Sequence, residues 1–260
     1  MQNRPHTYLF FIQYLGLRYA GWQRQKGVKT IQGTLERGFR YVLGHEDFNI
    51  LGASRTDSGV SCREGAFELF LKEALEIPDL VPRLNENLPS DIRIIRMQSI
   101  PSGFNIIQDV VSKSYSYSFL FGVKPDPIRY PVAAFFPGHP DVELMQKGAK
   151  LFVGEHDFKR FCSIDKVTDN YRREIFSAEL FLEEFSGNER ETLRKVVFQV
   201  SGKGFLRYQV RIMAGALADL GLGILSFSDF EDAMQTPEGK PIAIAAPACG
   251  LVLEQVRFVL

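Results

Sequence analysis

The sequence predicts an α+β fold, with helices packed on a mixed, mostly antiparallel sheet that is built as two similar halves. Three observations support this fold class. Short β-rich runs end at glycine-containing turns, apolar residues then recur at helical spacing, and each half of the chain combines strands with a helix. The strand, turn and helix over residues 196–220 echo the pattern of residues 8–43, which indicates a duplication.

The first half opens with TYLFFIQY, residues 7–14, which predicts a strand. An aromatic and basic loop follows and leads to Thr30, a residue type that caps helix N-termini. A helix is predicted from there to Gly44, a typical helix-ending residue. The apolar side chains between them recur at helical spacing: Ile31, Leu35, Phe39 and Val42.

A second strand, FNILGA, leads into the loop SRTDSGVSCRE, and a return strand follows it. The return strand alternates Phe67, Leu69 and Leu71, so these three side chains are expected on one face. The loop is therefore expected at the edge of a strand pair.

The segment GVKPDPIRYPVAAFFPGHPD is rich in Pro and Gly and predicts a boundary between the halves, residues 1–125 and 126–260. The second half is expected to contain a helix after Asp141 and the strands IFSAELFLE and VVFQVSG. Capping-box spacing of Ser228 and Glu231 predicts a short helix near the end of the chain. A longer helix before it places five apolar residues on one face: Leu206, Val210, Met213, Leu217 and Leu220.

The composition limits the classes of function. With 260 residues and 45% apolar content, the chain can bury a core without disulfides. Its three cysteines, Cys62, Cys162 and Cys249, show neither disulfide nor zinc spacing, which favours a reducing cytoplasm. No apolar run approaches the roughly 20 residues that span a bilayer, and the N-terminus lacks the layout of a signal peptide.

The charges balance, with 31 basic and 31 acidic residues, so any nucleic-acid site must be local. The clearest basic stretch contains Arg24 and Lys26, and aromatic residues such as Trp22 are interleaved with it. Solvated surface charge explains such a stretch at least as well.

The segment GASRTDSGVS, residues 52–61, is the strongest candidate for chemistry. Its small residues let the backbone turn sharply and let a substrate approach closely. The guanidinium of Arg55 next to Asp57 favours an ionised carboxylate, which is the form that acts as a nucleophile. From local chemistry alone, a β-turn with a surface ion pair is the commoner explanation.

A second candidate is SGKGFLRYQVRIMAG, residues 201–215. Gly202 and Gly204 permit a tight strand-to-helix turn. Arg207 and Arg211 are four residues apart, so they are expected on one helical face. Such a helix N-terminus can bind phosphate or carboxylate, and an ordinary core helix with a polar edge accounts for the pattern equally well. The spacing matches neither a P-loop nor a dinucleotide fingerprint, so nucleotide-cofactor binding is unsupported.

In KSYSYSF, residues 113–119, strand alternation places Tyr115 and Tyr117 on one face, where a base could stack. Half-buried sheet packing is the commoner role of such a pair. The four histidines of the chain are too scattered to predict a metal site.

Taken together, seven ordered segments resemble the tRNA pseudouridine synthase A family along nearly the whole chain. YAGWQRQ with TIQGTLE is similar to the family's first loop and helix, and GASRTDSGV to its signature GxGRTDAGV. The resemblance continues through LNENLPSDI, KSYSY, LFVGEHDFKRF, GFLRYQVRIMAG and APACGLVL. It implies the pseudouridine synthase fold, in which two halves flank a catalytic cleft.

The resemblance implies an isomerase that converts uridine to pseudouridine in the anticodon stem-loop of tRNA, at positions 38–40. It implies a cytoplasmic homodimer that uses no metal, nucleotide or redox cofactor. By the same resemblance Asp57 is the nucleophile that attacks the target uridine, whose base is released, turns and reattaches through carbon five.

The resemblance also implies roles for other residues of the site. Arg211 is implied as the cation that pairs with Asp57, Tyr115 as the ring that packs on the flipped uracil, and Leu251 as the apolar floor of the pocket. Arg55 is implied to hold the displaced strand or its phosphate. A carboxylate, a charge partner and an aromatic wall are what a base-flipping pocket needs. Weaker candidates for RNA contact are Arg24, Lys26 and Arg207.

The chain departs from the family pattern at Ser58 and Ser61, where Ala and His are common, and at residues 104–107, where Phe-Asn-Ile-Ile replaces Phe-His-Ala-Arg. The altered segment at Phe104 and the loop of Ser61 are expected to line the approach to the pocket, so a synthase with a different RNA target is one alternative. A non-catalytic RNA-binding paralogue is another, against which the retained Asp57 and Tyr115 argue. An aspartyl phosphotransferase would need a magnesium-binding carboxylate cluster, and none is found near the RTD segment.

Overall fold

The computed structural model describes residues 4–101, 103–128, 130–164, 170–183 and 193–259. Close contacts group the chain into two compact units, Met1–Val111 with Leu253–Leu260 (unit 1) and Ser112–Val252 (unit 2). The division into residues 1–125 and 126–260 stays a prediction. No helix in the described part of the chain is long and apolar enough to cross a membrane.

The helices and longer strands of the described residues confirm the α+β class. In chain order they are β1 (His6–Tyr14), α1 (Ile31–Leu43), β2 (Phe48–Gly52), β3 (Ser61–Leu71), α2 (Leu80–Asn87), β4 (Ile92–Ser99), β5 (Val110–Gly122), β6 (Ala134–Pro137), α3 (Val142–Lys150), β7 (Gly154–Asp157), β8 (Arg172–Glu183), β9 (Leu193–Gly202), α4 (Gln209–Gly221), α5 (Phe227–Gln235) and β10 (Leu251–Phe258).

Unit 1 is built on an antiparallel sheet with β1 between β3 and β4, and β2 pairs antiparallel with β3. The predicted first helix is confirmed as α1: the Thr30 side chain accepts a hydrogen bond from the Gly33 amide, and Gly44 ends the helix at φ 77°. The helix packs on the sheet through Phe39, whose ring meets Phe10 and Phe67 edge-on at 5.3 and 5.9 Å. The predicted return strand is confirmed as β3. Phe67, Leu69 and Leu71 are buried, and so are the alternate residues Ala66, Glu68 and Phe70, so both faces of the strand are covered.

Unit 2 contains a sheet in which β9 lies between β5 and β8, and β7 pairs with the start of β8; these pairings are antiparallel. The short strand β6 pairs with β5 in parallel, which makes the sheet mixed. Helices α3, α4 and α5 enclose an aromatic core, in which the Phe152 ring lies 5.4 Å from Phe230 and 6.2 Å from Phe198.

Two helix starts differ from the prediction. α4 begins at Gln209, so Leu206 precedes it, because Tyr208 takes a left-handed backbone conformation at φ 60° that breaks the helical path. The last short helix is capped by Ser226, whose hydroxyl accepts from the Asp229 amide at 3.1 Å, and not by Ser228. Ser226 and Asp229 also have capping-box spacing when Asp is admitted at the fourth position, so the sequence contained two candidate caps and the helix uses the earlier one.

Candidate active site

Unit 1 holds Asp57 in a loop between β2 and β3, residues 53–60, called here the Asp57 loop. The Asp57 side chain is half-buried, whereas Arg55 and Ser58 are exposed. A turn closes over the aspartate because the Val60 amide donates to the Asp57 carbonyl at 3.2 Å. The loop therefore has a defined path with its carboxylate near the surface.

A second loop, residues 15–30 between β1 and α1, braces the Asp57 loop through backbone hydrogen bonds. The Trp22 amide donates to the Thr56 carbonyl at 3.0 Å, and the Gly59 amide donates to the Tyr19 carbonyl at 3.2 Å. A side-chain contact adds to them, since the Tyr14 hydroxyl and the Thr56 Oγ1 lie 2.8 Å apart. These contacts fix the residues on both sides of Asp57.

Glycines make this close approach sterically feasible. A Cβ at Gly21, whose φ is +91°, would lie 2.7 Å from the Thr56 carbonyl oxygen and 3.1 Å from the Asp57 carbonyl carbon. A Cβ at Gly16 would lie 1.9 Å from the Val60 carbonyl oxygen. Only glycine therefore fits where the bracing loop crosses the Asp57 loop.

The two serines that depart from the family pattern also serve this contact. The Ser61 hydroxyl is buried and accepts from the Gly16 amide at 3.0 Å. The Ser58 hydroxyl donates to the Tyr19 carbonyl at 3.2 Å. The Ser61 hydroxyl itself points into the fold, where it satisfies a backbone donor. That the loop around Ser61 lines the approach to a pocket stays a prediction.

The basic stretch of the bracing loop divides into buried and exposed parts. Trp22 is buried against Gly52, so the interleaved aromatic belongs to the core. Arg24 pairs with Glu36 at 2.8 Å, and both side chains line a cavity of about 230 Å³ at the start of α1 with Lys29, Arg37 and Arg40. Lys26 is exposed.

In unit 2, the tyrosine pair of β5 has two distinct environments. Tyr117 is fully buried and its hydroxyl donates to the Pro247 carbonyl at 2.8 Å, so it is a core residue. Tyr115 is half-buried, and its ring meets Phe205 edge-on at 5.1 Å. The pair shares a face as predicted, and only Tyr115 keeps part of its surface open.

Residues 203–211, which enter α4, form a second positioned segment, called here the α4 corner. The guanidinium groups of Arg207 and Arg211 lie 5.0 and 5.1 Å from the centre of the Tyr208 ring. The prediction that both arginines share one helical face is wrong, because Arg207 precedes α4. Their common neighbour is instead the Tyr208 ring, which attracts both cations.

Further contacts orient Arg211 and Leu251. The Arg211 Nε donates to the Ala246 carbonyl at 2.8 Å, and the Ala246 amide donates back to the Arg211 carbonyl at 2.9 Å. Leu251 is buried at the start of β10 and follows Gly250, where a Cβ would lie 2.7 Å from the Tyr117 ring. The glycine of the GLVL segment thus lets this strand approach β5 closely.

Tyr208, Tyr19 and Gly21 are positioning residues that sequence reasoning did not single out. The spacing of two arginines around an aromatic in RYQVR could have indicated Tyr208. Burial lowers the pKa of Lys113, two residues before Tyr115 on β5, to about 8. Among the described residues, no group of three or more His, Cys, Asp or Glu side chains could hold a metal ion.

Related proteins match the chain along nearly its whole length, and a family model matches its C-terminal part. A family model described as tRNA pseudouridine synthase matches residues 149–259. A tRNA pseudouridine synthase A of Caldicellulosiruptor bescii is 33% identical over 96% of this chain and 98% of its own length. One of Thermodesulfovibrio yellowstonii is 32% identical over 95% of this chain and 97% of its own length.

The likeness to solved structures is weak. The archaeal box H/ACA sRNP Nop10-Cbf5 complex is 12% identical with a TM-score of 0.36, and the match covers 85% of this chain and 45% of that chain. The identity to the bacterial relatives, over nearly complete lengths, is decisive. The chain therefore belongs to the tRNA pseudouridine synthase A family, whose members are isomerases that convert uridine to pseudouridine in tRNA.

Proposed function

We propose that this protein isomerises uridines in the anticodon stem-loop of tRNA, at positions 38–40, with Asp57 as its nucleophile. The observation that supports Asp57 is the bracing of its loop: backbone contacts hold Thr56 and Gly59, and the carboxylate stays near the surface. A nucleophile requires positioning of this kind, because a small displacement of the reacting atom lowers the reaction rate strongly. If the Asp57 loop were only a surface turn, there would be no reason for a second loop to brace it through two positions that only glycine can occupy, Gly16 and Gly21.

The net reaction needs no external reagent. Asp57 attacks the target uridine, the bond from N1 of the base to C1′ of the ribose breaks, and the base turns. As the bond from C5 to C1′ forms, the bond between Asp57 and the uridine breaks and the free carboxylate is restored. C5 loses its proton and N1 gains one, so atoms and electrons balance. The chemistry therefore proceeds without a metal, nucleotide or redox cofactor.

The remaining site residues take roles that suit their surroundings. Tyr115 is the ring on which the extruded uracil packs, and Phe205 holds it edge-on. Stacking on an aromatic side chain is worth about 1–3 kcal/mol, which offsets the few kcal/mol of base extrusion. Leu251 is the apolar floor, Arg211 the cation of the site, and Arg55 holds the displaced strand or its phosphate.

Binding of the whole tRNA uses weaker contacts. Arg24, Lys26 and Arg207 contact phosphates, which position an RNA without reading its sequence. The protein acts as a homodimer in the cytoplasm, where its tRNA substrate is made and used.

The test is a pseudouridine map of unmodified tRNA after incubation with the purified protein in EDTA. We expect modification at positions 38–40 and none in the anticodon stem-loop of a tRNA that lacks uridine at all three of these positions. Modification confined to another arm would refute the anticodon assignment while leaving the isomerase class intact. A requirement for Mg²⁺ with a small stem-loop substrate, where RNA folding is not limiting, would contradict the cofactor-free reaction.

A further inference from the structure

A pocket of about 410 Å³ opens on the sheet of unit 1. The residues that line it include Thr7 and Tyr8 of β1, Glu68 and Phe70 of β3, and Phe104 in the segment after β4. All the lining residues belong to unit 1, and none of them belongs to the candidate active site. The pocket is therefore a separate site, called here the Glu68 pocket.

Glu68 contributes a buried carboxyl group to the wall of this pocket. Strand alternation places it on the face of β3 opposite to Phe67, which packs against α1. The side chain is only 3% exposed, and the Ile106 amide donates a hydrogen bond to its carboxyl group. Ile106 is buried and follows Phe104 by two residues. The segment 104–107, which departs from the family pattern, thus contributes both a pocket wall and a contact to Glu68.

The Glu68 carboxyl group has acceptor capacity to spare. A carboxylate offers about four lone-pair sites, and the Ile106 amide uses one. Among the described residues no basic side chain forms an ion pair with Glu68, and Arg4, which also lines the pocket, pairs with Asp47. Burial raises the pKa of Glu68 to about 7, and hydrogen bonds donated by a ligand favour the ionised form. The pocket therefore suits a ligand that donates hydrogen bonds, and not an anion.

Aromatic side chains complete the chemistry of the pocket. Tyr8, Phe70 and Phe104 line it together with Glu68. Aromatic walls with a few placed polar groups are the usual lining of a site for a small organic ligand. Nucleobases in particular stack on aromatic rings and present their edges to hydrogen-bonding side chains. A nucleobase therefore fits both the rings and the acceptor.

The hydrogen-bonding edges of the bases favour one of them. Guanine presents two adjacent N–H donors, at N1 and N2, which match the two oxygens of a carboxylate. Adenine, cytosine and uracil each present a single donor group flanked by at least one acceptor, which a carboxylate repels. Guanine is thus the base that Glu68 can hold through two parallel hydrogen bonds.

We propose that the Glu68 pocket binds a guanine base, which donates N1–H and N2–H to the Glu68 carboxylate and packs on the Phe104 ring. The base belongs either to a free guanine nucleotide or to an unpaired guanosine of a bound RNA, since both present the same edge. The proposal involves neither Asp57 nor the uridine that reacts, so it goes beyond the proposed function.

The first experiment compares two nucleotides on the full chain by calorimetry. Inosine 5′-monophosphate lacks the N2 amino group of guanosine 5′-monophosphate and is otherwise the same. We expect the wild type to bind the guanosine nucleotide at least about fivefold more tightly, because the inosine nucleotide loses one of two paired hydrogen bonds. Glu68→Gln keeps the size of the side chain and should reduce this ratio to about one or below, because its amide nitrogen faces a donor.

The matched control is Glu73→Gln, which replaces an exposed glutamate outside the pocket and should keep the wild-type ratio. Phe104→Ala should weaken both nucleotides and keep their ratio, since either base stacks on the ring. The proposal is overturned if the wild type does not bind the guanosine nucleotide, or if Glu68→Gln retains the wild-type preference. Unchanged affinities in Phe104→Ala would contradict the stacking.

Kinetics with tRNA distinguish the two sources of the base. If the guanosine belongs to the bound RNA, Glu68→Gln should raise the KM for tRNA at unchanged kcat, and guanosine monophosphate should compete with tRNA. If the ligand is a free nucleotide, the KM for tRNA should stay at the wild-type value. A wild type that isomerises tRNA but binds both nucleotides alike would refute this pocket and spare the proposed function. A preference that depends on Glu68, in a protein that does not isomerise tRNA, would do the reverse.

Discussion

The Asp57 loop and the α4 corner are positioned by different kinds of contact. Backbone hydrogen bonds from a second loop hold the Asp57 loop, and glycines make the crossing feasible. The α4 corner is held by side chains, with two guanidinium groups beside the Tyr208 ring and the Arg211 Nε on a carbonyl. A side chain added where two backbones touch forces one of them to move, so its effect on the loop should be large. Removal of one of several side-chain contacts leaves the others in place, so its effect should be smaller. The two regions should therefore respond differently to substitution.

The largest effect is expected at the carboxylate of unit 1. Asp57→Asn is nearly isosteric and loses the anion, so isomerisation should fall by about a thousandfold or more while RNA binding is largely kept. Single-turnover rates and tRNA affinity measure the two quantities. Ser58→Ala is the matched control in the same loop and should stay within a few-fold of wild type. Turnover of the asparagine variant within tenfold of wild type would disprove the nucleophile assignment.

The next largest effect concerns the aromatic wall of unit 2. Tyr115→Ala should lower the isomerisation rate by about 5- to 150-fold, which corresponds to the loss of about 1–3 kcal/mol of base stacking. Tyr115→Phe should cost little, because the ring and its contact with Phe205 persist. The control is Tyr41→Ala, at a ring of unit 1 that is 75% exposed. If both Tyr115 variants isomerise uridine at the wild-type rate, Tyr115 does not stack on the base and serves only in sheet packing.

A pair of glycines tests the steric support of the Asp57 loop. Gly21 and Gly27 both have positive φ, 91° and 82°, so alanine imposes similar backbone strain at each. A Cβ at Gly21 meets the backbone around Asp57, whereas a Cβ at Gly27 meets nothing within 4 Å. Gly21→Ala should therefore lower turnover about tenfold and cost about 1–3 kcal/mol more stability than Gly27→Ala. Equal melting temperatures and rates for the two variants would contradict the bracing.

Each unit also contains a buried ionisable group with its own pH response. In unit 1, burial raises the pKa of Glu68 to about 7, which a hydrogen bond from the Ile106 backbone partly opposes. In unit 2, burial lowers the pKa of Lys113 to about 8. Between the ordinary glutamate pKa of about 4.3 and pH 7 the folded state binds more protons at Glu68, so stability falls as pH rises. Between pH 8 and about 10.4 the folded state binds fewer protons at Lys113, so stability rises with pH.

Unfolding by denaturant over this pH range checks both signs. Each unit of pKa shift corresponds to about 1.4 kcal/mol. Glu68→Gln should remove the decline between about pH 4.3 and 7 and leave the rise above pH 8 unchanged. The exposed Glu73→Gln is the control and should leave both slopes in place. A decline that persists in Glu68→Gln would assign the effect to another group.

The comparison of the two regions also explains what the sequence could predict. The α1 cap at Thr30, its end at Gly44 and the strand β3 depend on local sequence, so they were predictable. The start of α4 was not, because Tyr208 takes a left-handed backbone conformation that residues other than glycine rarely adopt, and the spacing of apolar residues gives no sign of it. The contacts that brace Asp57 could not be predicted either, because they join residues far apart in the sequence: Trp22 and Thr56 are 34 positions apart, and Tyr19 and Ser58 are 39.

The smallest effect is expected on the basic stretch of unit 1, where binding and chemistry should separate. A contacted phosphate releases counterions and contributes about 0.7 to 0.9 to the slope of log affinity against log salt. Lys26 is exposed, so Lys26→Ala should reduce the slope by about that amount for all tRNAs alike.

Arg24 differs from Lys26 because it already pairs with Glu36 at 2.8 Å. Its charge is partly neutralised within the protein, so Arg24→Ala should reduce the salt slope by less than Lys26→Ala does. Lys195→Ala in unit 2 is the control, since Lys195 pairs with Glu183 and no RNA contact is assigned to it. Single-turnover rates on bound tRNA should survive all three changes, because none of these side chains is assigned to the pocket. An unchanged slope with a lost single-turnover rate would place the basic stretch at the reacting base and not along the RNA path.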